Sequence, residues 1–195
     1  MLKKILMICF AFLCIPLGSM AISLPELQSD SNRYKQIGEN ISVTTFIDTY
    51  SIEQVQYDYP YCNLKATVYL VNYEKSYILE DTFACTYDYT RSFDALWETE
   101  AKNNKENPEQ IRIAVINEAK KDPGIISRIT KLNSYAFSGK LLDVFSRKDN
   151  SQFIVDSPYQ SVGYCIADFI FMKYYAKPFW KGNNPKTPND YMTVF

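Results

Sequence analysis

The chain contains no histidine in 195 residues, and that absence excludes much. Ser-His-Asp and Cys-His nucleophile pairs, HExxH zinc sites, two-His iron sites and imidazole pH switches all need the ring. Glycine is scarce, six in all, with none from Ile41 to Thr90. Neither GxGxxG nor GxxxxGK[ST] occurs to cradle a phosphate, so no cofactor is expected. The acids do not fit an EF-hand loop and the cysteines lack zinc spacing, so no metal is expected either. Charge in excess is also missing. A balance of 22 acids against 21 bases leaves no electrostatic footprint for nucleic acid.

What is present begins with an export signal. Lys3 and Lys4 precede an apolar run from Ile5 to Ile15, and Ser19-Met20-Ala21 follows as a small-x-small cleavage site. The run falls well short of the ~20 residues of a spanning helix, so residues 1–21 read as a signal peptide and no spanning segment is expected after its removal. The destination is the periplasm, the cell surface or the medium. Of the five cysteines, Cys62, Cys85 and Cys165 stay with the exported chain, in a compartment that permits disulfides.

Residues 22–40 read as a polar N-terminal arm, ending in the Asn40-Ile41-Ser42 glycosylation pattern. Residues 41–177 read as one α+β domain. Its first part, 41–90, is rich in Thr, Val, Tyr and Ile and divides into four strands, about 41–48, 52–59, 63–72 and 76–90. Their short connections require antiparallel neighbours, hence a four-stranded meander. Asp48 suits the first turn because its carboxylate accepts from following amides. A Tyr73-Glu74 turn sets Val68 opposite Leu79, Leu64 opposite Phe83 and Cys62 opposite Cys85, which makes Cys62–Cys85 the candidate disulfide. The alternative is a pair of reduced, buried thiols.

Residues 92–177 read as mainly helical. Phe93, Leu96, Trp97 and Ala101 share one helical face, and Asn107-Pro108-Glu109-Gln110 is an N-cap signature for a helix that stops at Asp122-Pro123-Gly124. Ile125, Ile126, Ile129 and Leu132 also recur at helical spacing. Leu141–Ser146 and Gln152–Asp156 form an alternative second hairpin across a Lys148–Ser151 turn. A helix from Pro158 to Lys177 covers the sheet, and 178–195 is an extended tail.

Two tyrosine tracts carry the candidate site. Tyr57-Asp58-Tyr59-Pro60-Tyr61 precedes the third strand and Tyr87-Asp88-Tyr89 ends the fourth. The register above places both at one end of the sheet. Tyrosine rings beside acceptor carboxylates suit a glycan or a contact with another envelope protein, and equally the solvated face of a sheet. The rival reading is a secreted carboxylate-dependent hydrolase such as a glycosidase. It would draw on Asp58 and Asp88, or on Glu80 and Asp81 with a distant partner. Asp168, in an apolar helix with Ser161 and Tyr164 on the same face, reads as a hydrogen-bonded structural acid. An unpaired strand 41–48 would instead recruit a partner strand.

The segment Phe46-Ile47-Asp48-Thr49-Tyr50-Ser51-Ile52 resembles a strand-turn-strand opening, aromatic-Ile-Asp-x-x-Ser-Ile, in small secreted bacterial domains of the surface-adhesin protein E type. The likeness continues through the tyrosine-rich hairpins to Thr90. It implies an exported α+β module at a cell surface and carries no functional residue with it.

Overall fold

The computed structural model describes residues 22–39, 41–103, 107–145, 153–155 and 157–180. The signal segment 1–21, Asn40, the Lys148–Ser151 turn and tail residues 181–195 lie outside the described residues. The elements are α1 (Leu24–Ser29), β1 (Tyr34–Glu39), β2 (Val43–Asp58), β3 (Tyr61–Asn72), β4 (Tyr77–Asp88), a 3-10 turn (Tyr89–Arg91), α2 (Phe93–Asn103), α3 (Pro108–Lys121), β5 (Ile125–Ala136), β6 (Leu141–Phe145), β7 (Phe153–Val155) and α4 (Val162–Tyr175). The fold is α+β. All strand pairs are antiparallel, in the order β1-β2-β3-β4-β5-β6, with β7 also on β5. The sheet is therefore larger than the expected four-stranded meander.

Two of its strands, β1 and β5, arise where other structure was expected. The polar arm contributes α1, closed by a Ser23–Glu26 capping box, and β1. Ile125–Ala136 is a strand, not a helix. Its inward residues Ile125 and Ser127 alternate with exposed Ile126, and a register shift opposite Thr82/Phe83 breaks the period-two pattern beyond Ile129. β6 and β7 both run antiparallel to β5, so they point the same way along one edge and form no hairpin with each other.

The expected turn at Asp48-Thr49-Tyr50-Ser51 is a bulge inside one continuous strand. The Asp48 carboxylate accepts from the Tyr50 amide at 3.0 Å, the local bond of a turn. It also takes Arg33 bidentately, Nε at 3.0 Å and Nη2 at 2.7 Å. Ser51 Oγ donates to the Asp48 carbonyl and accepts from the Thr67 amide on β3. The chain therefore stays on β3 instead of reversing, and the pairing resumes at Glu53–Lys65. Because Val43–Asp48 has β1 on one side and β3 on the other, it is not the free edge once expected.

The β3–β4 loop takes four residues, Tyr73 to Ser76, because Asn72 Oδ1 accepts from the Lys75 amide at 2.8 Å. The register is thus two residues from the expected one. Leu70 faces Leu79, Leu64 faces Cys85 and Cys62 faces Tyr87. An even shift keeps every side chain on its face, but it moves Cys62 and Cys85 to diagonal positions. Such positions are about 7–8 Å apart, beyond ordinary disulfide reach. All three described cysteines are free and buried. Cys62 Sγ lies 3.2 Å from Tyr175 Oη, and Cys85 Sγ 3.8 Å from Ser127 Oγ.

Two cores lie on opposite faces. On the helix face, Leu64, Ala66, Val68, Phe83, Cys85 and Tyr87 pack beneath α2, α3 and α4. At the far end of the other face, Tyr69, Val71, Ile78 and Tyr135 pack with Ile22 and Leu27 around α1. Helix α4 is apolar on nearly all sides and is buried from Gly163 to Phe171. It begins at Val162, capped by Ser161, whose Oγ accepts from the Tyr164 amide, four residues later than the Pro158 start expected. Asp168 is hydrogen-bonded: its Oδ1 accepts from the Phe179 amide at 3.1 Å. The start of the expected tail is core. Phe179 and Trp180 are buried, and Trp180 Nε1 donates to the Pro123 carbonyl.

Helix α3 ends as its sequence indicates. Arg91 Nη2 donates to the Glu118 and Asp122 carbonyls, each at 2.9 Å. Gly124, at φ +68°, presses so close to Arg91 that a Cβ would stand 2.3 Å from that side chain.

Asp48→Ala is expected to cost about 2 kcal/mol in urea unfolding, because it strips charged hydrogen bonds from Arg33 and the Tyr50 amide. Glu53→Ala, at an exposed pair, is expected to cost under ~1 kcal/mol. Iodoacetamide is expected to leave Cys62, Cys85 and Cys165 unmodified in the folded protein and to alkylate all three in denaturant, read by intact mass.

Candidate functional site

Strand parity and register place the predicted site residues. Asp58, Tyr61 and Asp88 form one row across β2, β3 and β4, on the face away from α4. Tyr57, Cys62 and Tyr87 form the next row on the helix face. The β2–β3 connection is the dipeptide Tyr59-Pro60, joined by a cis bond, the geometry of a type VI turn.

The five tyrosines separate into three environments. Tyr57, Tyr59 and Tyr61 are exposed at 53%, 70% and 49%. Tyr87 is fully buried, donates to the Ala167 carbonyl at 2.7 Å and packs on Phe171 and Phe179. It is a core residue, and burial raises its phenol well above the usual value. Tyr89 is half-buried and joins the two groups. Tyr59 stacks on it at 6.5 Å and Tyr57 meets it edge-on at 6.1 Å, while its other side touches Phe171 and Phe179. The exposed rings thus stand on a fixed aromatic base. Tyr174 extends the exposed group through Tyr175, which it meets at 4.8 Å. Tyr175 Oη in turn donates to Gln54 on β2 at 2.8 Å.

Tyr61 stands between Asp58 and Asp88 in their row. Asp88 Oδ1 is engaged as a cap, accepting from the Thr90 amide at 2.9 Å and the Thr90 hydroxyl at 2.7 Å. Glu80 and Asp81 are neighbours on a strand and point to opposite faces. Glu80 accepts from Asn133 Nδ2. Asp81 is buried opposite Val68 and Leu132, and its Oδ1 has no hydrogen-bond partner among the described residues. Burial, reinforced by Glu80, pushes its carboxyl up to about 7.

The thiols are unsuited to nucleophilic work. Burial pushes Cys85 up to about 12 and Cys165 to about 11, so both stay protonated at neutral pH. Among the described residues no three potential metal ligands cluster, and no helix is long and apolar enough to cross a membrane.

Sequence reasoning did not single out a depression of about 340 Å³ on the open face, lined by Tyr50, Ser51, Glu53, Lys65, Ala66, Thr67 and Thr82. Its one carboxylate, Glu53, is paired with Lys65 at 2.5 Å. The signal lay in the interrupted strand at Asp48–Ser51, which turns Tyr50 outward.

The folded chain holds the Asp81 proton more tightly than the unfolded chain does. Its contribution is therefore greatest below the ordinary carboxylate value of 3.8 and declines as pH rises toward about 7. Urea midpoints measured from pH 4 to 7 are expected to fall more steeply for wild type than for Asp81→Asn. No protein family, no curated protein and no solved structure matches the chain.

Proposed function

We propose that this is an exported bacterial envelope or secreted protein that acts by binding, with the tyrosine tip of the β2–β3 hairpin as its contact surface. The observation that carries this reading is the placement of Tyr57, Tyr59 and Tyr61. Their rings are exposed together at one end of the sheet, and the first two rest on Tyr89. Solvated tyrosines with a buried support present apolar area and a hydroxyl together at little entropic cost on binding. The partner is a glycan or another envelope protein.

A binding role is favoured over a hydrolase by shape. The tip is an exposed hairpin end, and the depression farther along the sheet holds a single, ion-paired carboxylate. Export is supported by the leader-like first 21 residues and by the local resemblance to secreted adhesin-type domains.

The test uses Tyr57→Ala/Tyr59→Ala, which removes exposed rings and leaves the core intact. Retention on a glycan array or on immobilised envelope proteins is expected to drop at least tenfold against wild type. Equal retention by both proteins overturns the tip as the contact surface. Tyr87→Ala is no substitute, because deleting a fully buried aromatic costs about 3–5 kcal/mol and disturbs the whole fold.

A further inference from the structure

We propose that the open face of the sheet is a groove for an extended neutral glycan, running along β2 and β3 from Tyr61 to Tyr50. This rests on the binding role assigned above and adds a second subsite and a ligand class. The depression under Tyr50 and, of the tip tyrosines, Tyr61 lie on the same face. Between them the outward residues of β3 are Tyr61, Asn63, Lys65 and Thr67, paired across to Asp58, Gln56 and Glu53 on β2. Six residues of strand place the two ends of this path about 20 Å apart. Among the described residues no helix covers it: α1 packs over the rows beyond Thr67, and α2, α3 and α4 pack on the other face.

The chemistry of the path selects the occupant. An exposed aromatic ring marks each end, Tyr50 at 75% and Tyr61 at 49% exposure. Tyr50 is held in place from both sides, its amide by Asp48 and its ring by the Arg33 guanidinium at 5.9 Å. The floor carries the hydroxyls of Thr67 and Thr82 and the Glu53–Lys65 ion pair. It therefore offers both donors and acceptors with charge balanced locally. A protein partner wants an apolar, charge-depleted centre, and the middle of this path is the reverse. A polyanion finds its cation, Lys65, already neutralised by Glu53. A neutral polyhydroxylated chain meets all three conditions. Its ring faces stack at the ends and its hydroxyls exchange bonds with the floor.

The probe is a printed array of linear neutral oligosaccharides, from single sugars to octasaccharides, with sialylated and sulfated chains beside them. Wild type is expected to retain neutral chains with strength rising with length. Tyr50→Ala and Thr82→Val are expected to weaken the longest chains about tenfold and single sugars little, with circular dichroism unchanged. Loss in Tyr59→Ala with wild-type retention by Tyr50→Ala and Thr82→Val overturns the groove and leaves the tip standing. Loss in the groove variants with wild-type retention by Tyr59→Ala overturns the tip and keeps the groove. Retention of no neutral chain, or of charged chains only, overturns the groove.

Discussion

The Asp48 carboxylate is the point from which the rest of the surface is arranged. Three donors converge on it, two from Arg33 and one from the Tyr50 amide. Its own neighbour Ser51 then ties the segment to β3. Without this knot the chain has the makings of a reversal. With it, β2 continues past the end of β1 and carries the Tyr59-Pro60 connection out to the end of the sheet. Ionic pairing alone is a weak source of stability at a half-open site. Here its value is geometric, because satisfying the carboxylate decides that a local turn motif is spent as a bulge.

A second constraint follows from having a core on each side of one sheet. β3 and β4 present apolar residues to the helices at one end and to α1 at the other, so the alternating pattern changes phase partway along. Val68 and Asp81 share a row on the helix face, and Tyr69 and Glu80 share the next row on the other. The buried carboxyl therefore sits near the seam between the two cores. The seam also explains why the middle of the open face is polar: neither core reaches it.

Much of the helical half was legible. Asn107 followed by Pro108 marked the start of α3, and Asp122-Pro123-Gly124 its end, because capping chemistry is local. The strand faces of β3 and β4 were legible too, since parity survives an even error in register. The loop length was not, because Asn72 lengthens the turn through its own side chain. β5 was hidden by two accidents of composition: Ser127 occupies an inward position, and the bulge after Ile129 restores a spacing that imitates a helix. Tyr57, Tyr59 and Tyr61 were correctly placed at the sheet's end. Tyr87 was not separable from them by composition, because only the packing of Phe171 and Phe179 over it makes it a core residue.

The division of the last edge into β6 and β7 has a bearing on solubility. Leu141, Leu142, Val144 and Ile154 are exposed there, and one long, flat run of such residues would be a template for stacking copies of the chain into fibrils. Residues 146–152 separate the two pieces in sequence, and a shift between Ser134 and Tyr135 kinks the pairing of the first. Each remaining length is only five or three residues. Among the described residues the aliphatic border is thereby presented in short pieces.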